Sequence, residues 1–231
     1  LNELIAAGIT FLWIIGIINA VNLMDGMDGL AAGMGVIAIS CLTVALALNG
    51  FGPDIVLVTA FIGALIGFLI YNTHPASIFM GDSGSLFLGF ILATFSLPSA
   101  GAPVQGLTYL VPILALGLPI LDTLTAIARR AAQGKGIFTA DKDHIHHRVF
   151  KTHNGKQRST VFTLYAVNII FGIMAILVLS SRELAQVGLV LSLTAIFCLL
   201  FLLKLGYIQI KQDRPAPAPA PSPLTTKPET N

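Results

Sequence analysis

Four side chains that offer oxygen ligands recur at every third position near the start of the sequence. They are Asn19, Asn22, Asp25 and Asp28, in Asn19-Ala-Val-Asn22-Leu-Met-Asp25-Gly26-Met-Asp28-Gly29. In a helical turn this spacing brings neighbouring oxygens onto overlapping faces. Gly26 and Gly29 let the backbone bend or come close to a ligand. Unhindered oxygens suit Mg²⁺, which takes an octahedral oxygen shell and is commonly held by one or two carboxylates plus substrate phosphates; Mn²⁺ is the other cation such a site accepts. An Asx-rich cap at a helix junction is the plainer reading, but two uncompensated carboxylates beside hydrocarbon are costly unless a cation binds.

A second cluster is Tyr71-Asn72-Thr-His74-Pro75-Ala-Ser-Ile-Phe79-Met-Gly81-Asp82-Ser83-Gly84-Ser85, which is broken by Pro75 and opens a helix at its end. A helix amino terminus carries unpaired N–H groups and partial positive charge, so a phosphate or a metal-bound phosphate fits there. Asp82 would then be a metal ligand; the alternative is an ordinary N-cap aspartate. The third cluster is Asp141-Lys142-Asp143-His144-Ile145-His146-His147-Arg148. No Cys and no His-Glu-x-x-His pattern accompanies these histidines, so phosphate or sugar binding is favoured over Zn²⁺ or Cu²⁺. Imidazoles can donate to phosphate oxygens, and Arg148 offers a planar fork that binds phosphate bidentately. Asp122, a lone carboxylate in an apolar stretch, is read as a structural partner of Arg129 or Arg130.

The elements that carry these clusters are apolar. The 231 residues are 55% hydrophobic and 10% charged, with a mean hydropathy of +0.84, well outside the charged fraction of soluble domains. Stretches able to cross a bilayer, each of roughly 17 to 25 residues, fall at 4–21, 30–48, 55–71, 85–97, 107–128, 161–179 and 184–203. The expected fold is therefore all-α, a polytopic transmembrane helical bundle with about seven helices. Cys41 and Cys198 lie mid-helix and suggest neither a disulfide framework nor a thiolate site. Nothing points to nucleic acid, and oligomer formation is left open.

Eight of the thirteen Lys and Arg residues sit between Arg129 and Arg158: Arg129, Arg130, Lys135, Lys142, Arg148, Lys151, Lys156 and Arg158. The positive-inside rule makes that loop cytoplasmic. Counting helices outward puts all three clusters on the same face. The amino terminus then falls outside, next to a helix, which predicts that further helices precede Leu1. Residues 1–205 make up the transmembrane domain, and 206–231, with its Pro-Ala alternation, is expected to be an extended, disordered cytoplasmic tail.

Asn22 to Gly29, Phe79 to Ser85 and His144 to Arg148, in that order and separated by the expected helices, resemble the signatures of the polyprenyl-phosphate N-acetylhexosamine-1-phosphate transferases. These are glycosyltransferases of family 4, of the WecA/TagO type, related to phospho-N-acetylmuramoyl-pentapeptide transferase. The resemblance covers about the first 205 residues. It implies Mg²⁺-dependent transfer of a sugar-1-phosphate, as GlcNAc-1-phosphate, from a UDP-sugar to undecaprenyl phosphate with release of UMP, in the bacterial inner membrane with a cytoplasmic active face. It also implies metal binding by Asn22 and Asp82, nucleotide binding by Asn72, Phe79 and Asp25, and sugar-phosphate recognition by His144, His146, His147 and Arg148. Asp25, Asp28 and Asp82 are the expected catalytic carboxylates. The family's adjacent Asp-Asp pair is absent, which matches the expectation that preceding helices are missing and predicts that this sequence alone transfers nothing.

Two other functions compete. Asp25-x-x-Asp28-Gly-x-x-Ala begins the motif of CDP-alcohol phosphotransferases, but Gly33 stands where their Arg belongs and the later paired aspartates are lacking. An ion-coupled transporter would place its carboxylates near the bilayer midplane, whereas these lie at one face.

Overall fold

The computed structural model describes residues 2–48, 52–97, 109–134, 136 and 143–207. The expected connection at 98–106, Lys135, Asp141, Lys142 and the expected tail from residue 208 onward lie outside them. The described residues form nine helices: α1 (Glu3–Met24), α2 (Leu30–Leu48), α3 (Gly52–Asn72), α4 (Gly81–Phe95), α5 (Leu110–Ala115), α6 (Gly117–Ala132), α7 (Ile145–Thr152), α8 (Gln157–Ser180) and α9 (Leu184–Lys204). No strand occurs among them, and the chain is an all-α polytopic bundle.

Five helices are long and apolar enough to cross a membrane, namely α1, α2, the 55–72 part of α3, α8 and α9. α4, at 15 residues, is shorter. α2 is the central helix: 56% of its apolar span is buried, against 17% for α1, α3 and α9, which form the periphery. It packs on α3 and α8, while α1 packs on α4 and α6, and α5 on α8. Without a hydrophobic drive between helices in lipid, close backbone approach is what holds such pairs together. A Cβ at Gly89 of α4 would lie 2.7 Å from the Ile18 Cα of α1. Glycine is therefore required at that crossing.

The structure departs from the expected helices in two places. The stretch expected at 107–128 is two helices, α5 and α6, joined at Leu116. Pro119 has no N–H to give to the carbonyl one turn back, and the chain turns there. Within the basic 129–158 loop, 145–152 folds as the short amphipathic helix α7. Its Ile145 and Val149 bury against Met24, Leu30, Leu118 and Leu164. This packing draws the histidine cluster under the bundle's loop end.

Candidate active site

α1 ends at Met24, and Asp25 caps it with its N–H donating to the Asn22 carbonyl. The chain then turns through 25–29, with Gly29 at φ 78°, a left-handed conformation that favours glycine. Two neighbours fix that turn: Tyr165 of α8 donates its hydroxyl to the Gly29 carbonyl at 2.5 Å, and Gly29 N donates to Asn72 Oδ1 at 3.0 Å. Asn19, the first of the four oxygens, is turned back on its own helix and donates to the Ile15 carbonyl.

The first and second clusters meet through Asn22 and Ser85. Buried Ser85, in the second turn of α4, donates to Asn22 Oδ1 at 2.5 Å. Asp82 stands exposed in the first turn of α4. Burial, and then the negative charge of Asp82, push the Asp25 carboxyl up to about 6. Asp25 thus lies within the field of Asp82, and it has no hydrogen-bond donor for its carboxylate among the described residues. Asp28 differs. Its Oδ2 accepts from His74 Nδ1 at 2.7 Å and from Ala76 N at 3.2 Å, and Arg158 donates through Nε and Nη2 to the His74 carbonyl.

Asn72 is buried, and both ends of its amide are used within the protein: Oδ1 by Gly29 N, and Nδ2 as donor to the Ile78 carbonyl at 2.9 Å. It clamps the first cluster to the second. Phe79 projects from the same loop with 74% of its surface exposed, open to stack on a planar ligand.

α7 brings the third cluster in. Asp122 is fully enclosed, and its partners are not the arginines the sequence suggests: Oδ2 accepts from His144 Nδ1 at 2.8 Å and Oδ1 from Ile145 N at 2.5 Å. With no side-chain cap from His144 itself, this carboxylate supplies the cap of α7. His146 is buried with Nδ1 unpartnered, and a Cβ at Gly26 would lie 2.6 Å from its Nε2. Burial, then the neighbouring His147, lower its pKa to about 4, so the imidazole is neutral. His147 packs beside it, ring centroids 4.1 Å apart, and is half-exposed. Arg148 is largely committed: Nε and Nη2 donate to Asp143 Oδ2, Nη1 donates to the Leu205 carbonyl, and its guanidinium lies 3.9 Å over the Tyr207 ring. Two of its five N–H groups are left for a ligand.

Sequence reasoning missed His74, Ser85 and Tyr207. The first two lie inside the quoted second cluster and could have been weighed from it. Tyr207 carries no signal beyond its place after a helix. Among the described residues no group of three or more His, Cys, Asp or Glu side chains converges on a metal position. The oxygens at this end, Asp25 in the field of Asp82 and Asn22 Oδ1 on Ser85 of the helix that carries Asp82, are hard, anionic and sparse. They fit Mg²⁺ completed by phosphate and water oxygens, and they do not fit a softer transition metal.

Fold and site define a polytopic helical membrane protein with a carboxylate-rich site at one end of the bundle. Residues 1–100 match the family model described as Glycosyl transferase family 4. The chain is 45% identical over 175 residues to a protein of Bacillus subtilis named as a probable undecaprenyl-phosphate N-acetylglucosaminyl 1-phosphate transferase, covering 75% of this chain and 48% of that protein. It is 36% identical over 193 residues to a decaprenyl-phosphate N-acetylglucosaminephosphotransferase of Mycobacterium tuberculosis, with the same shares. It is also 36% identical over 168 residues to a phospho-N-acetylmuramoyl-pentapeptide-transferase of Shouchella clausii, covering 71% and 49%. The family model over residues 1–100 and these relatives together liken the chain to glycosyl transferase family 4. The chain spans about half the length of the curated relatives it matches.

Proposed function

We propose that this chain forms the donor and metal site of a sugar-1-phosphate transferase that moves GlcNAc-1-phosphate from UDP-GlcNAc to undecaprenyl phosphate and releases UMP. The observation that carries this reading is the meeting of three clusters far apart in sequence: Asn22 on Ser85, His146 against Gly26, and Asp25 in the field of Asp82. An acceptor phosphate oxygen forms a bond to the sugar-linked phosphorus, the bond from that phosphorus to the bridging oxygen breaks, and UMP leaves with the electron pair. Such a transfer needs alignment and charge neutralisation more than covalent help from protein.

Asn22 and Asp82, with Asp25 beside them, are the residues that would hold Mg²⁺. When bound, the cation neutralises pyrophosphate charge. Asp25, with its pKa near 6, is placed to take the proton of an acceptor phosphate close to neutral pH. Asp28 and Asn72 hold the two loops in register, Phe79 stacks on the nucleobase, and His147 with the remaining N–H groups of Arg148 contacts the sugar phosphate, on a floor made by His144 and His146. The carrier lipid reaches the site along an apolar groove of about 250 Å³ between α1 and the α5–α6 pair, walled by Leu12, Trp13, Ile17, Ile113 and Ile120.

The basic 129–158 segment supports a cytoplasmic location for this face in a bacterial cell, by the positive-inside rule. The test is UMP release from UDP-GlcNAc by membranes containing the chain together with the remaining half of the family fold, with and without undecaprenyl phosphate and Mg²⁺. Release that depends on both supports the reading. Release independent of the lipid, or consumption of a CDP-linked donor instead, overturns it.

A further inference from the structure

On the side of α8 away from the candidate active site, α7, α8 and α9 enclose a second groove of about 420 Å³. Its wall is apolar, built from Val167 and Ile170 of α8 and Phe197, Leu200 and Phe201 of α9. Its mouth is polar, with Thr152 and His153 at the end of α7, Thr163 on α8 and Lys204 in the last turn of α9. Thr163 to Ile170 is about 10 Å of helix, so the groove runs from the loop end of the bundle well into the apolar length of two spanning helices.

Among the described residues that line the groove, Lys204 is the charged side chain, it is exposed, and none is acidic. Lys156, which caps α8, is exposed on the same loop. Lys151 lies 3.9 Å from Asp143, so it is partly matched. His153 Nε2 is engaged with Thr163 Oγ1 at 2.9 Å, which keeps the ring at the rim. Apolar depth with a cation at the lip that no described residue pairs is the shape of an amphiphile with an anionic head.

We propose that this groove is a binding site for one anionic phospholipid of the bilayer, its phosphate at Lys204 and its acyl chain against Phe197, Leu200 and Ile170. The site is separate from the groove between α1 and the α5–α6 pair and takes no part in the transfer. Lys204 also suits the carboxyl end of α9, so the test is one that a helix-dipole role would not move.

The chain, purified in detergent, is exposed to equal amounts of phosphatidylglycerol and phosphatidylcholine, and retained lipid is counted by native mass spectrometry. One phosphatidylglycerol should be retained in preference. Lys204→Gln, on an exposed side chain, should lower that preference about fivefold. Ala166→Trp, filling the groove, should remove the bound lipid altogether. If Lys204→Gln retains phosphatidylglycerol as the unaltered chain does, the proposal is overturned whatever the fate of Ala166→Trp. Displacement of phosphatidylglycerol from the groove by an equal amount of undecaprenyl phosphate also overturns it, because the occupant is then the carrier lipid.

Discussion

Gly26 and His146, 120 positions apart in sequence, lie in contact: a Cβ on Gly26 would sit 2.6 Å from the imidazole Nε2 and 3.3 Å from Cε1. The contact locks α7 to the turn between Asp25 and Asp28. Gly26→Ala should therefore push His146 aside while leaving the spanning helices in place. A displacement of about 1 Å in a site that works by alignment costs up to roughly a hundredfold in rate. Turnover should fall by about ten- to a hundredfold with Mg²⁺ binding retained. The double variant Gly26→Ala/His146→Ala should be no slower than His146→Ala alone, since both act through one contact. Additive losses in that cycle would show that the two residues act separately.

Asp82→Asn should abolish transfer without altering membrane insertion, because an amide is a poorer ligand for a hard dication than a carboxylate. The same change removes the charge that helps push Asp25 up, so the Asp25 carboxyl should titrate lower, by ¹³C NMR, than in the unaltered protein. Full activity in Asp82→Asn would remove the basis for the metal assignment.

The pKa of His146 in the folded protein, about 4, lies below its ordinary 6.5. Between those values the unfolded chain binds a proton that the folded chain does not, so stability rises with pH in that window and is lost as pH falls toward 4. Asp25 acts with the opposite sign between 3.8 and about 6, because its folded form holds a proton that the unfolded form has released. The measurement is therefore a difference: the gap in thermal midpoint between the unaltered chain and His146→Gln should move in favour of the unaltered chain between pH 4.5 and pH 7. A gap that does not change with pH would mean that His146 titrates normally.

The composition and the seven apolar stretches were enough to give the helical bundle, and the ordered clusters gave the residues that meet at its end. The split at Leu116 was also within reach, since Pro119 could be seen in the sequence. α7 is hard to read in the sequence because charged and histidine residues surround the i, i+4 pair Ile145 and Val149, its one helical spacing of apolar residues. Other features had no local trace. Proximity along its own helix points Asp122 to Arg129 or Arg130, whereas its partners His144 and Ile145 are brought to it by the docking of α7. The division of labour between Asp25 and Asp28 likewise depends on which carboxylate the 72–78 loop reaches.

That division leads to the last prediction. Among the described residues Asp25 has no hydrogen-bond donor and lies in the field of Asp82, while Asp28 accepts from His74 Nδ1 and Ala76 N. Asp25→Asn should leave the loops in place and, if the proposed function holds, remove turnover, because that reading gives the Asp25 carboxylate the acceptor proton. Asp28→Asn replaces a carboxylate with a group that accepts through one oxygen and cannot hold His74 as strongly. Hydrogen bonds to a charged partner contribute about 1.5 to 3 kcal/mol, so the Thr73–Ile78 backbone should exchange its amide hydrogens faster by one to two orders of magnitude. Activity should fall in both variants, but amide exchange in Thr73–Ile78 should rise only in Asp28→Asn. If Asp25→Asn loosens that loop as much, or Asp28→Asn loses turnover with the loop unchanged, Asp28 belongs with the chemistry and not with the frame that holds it.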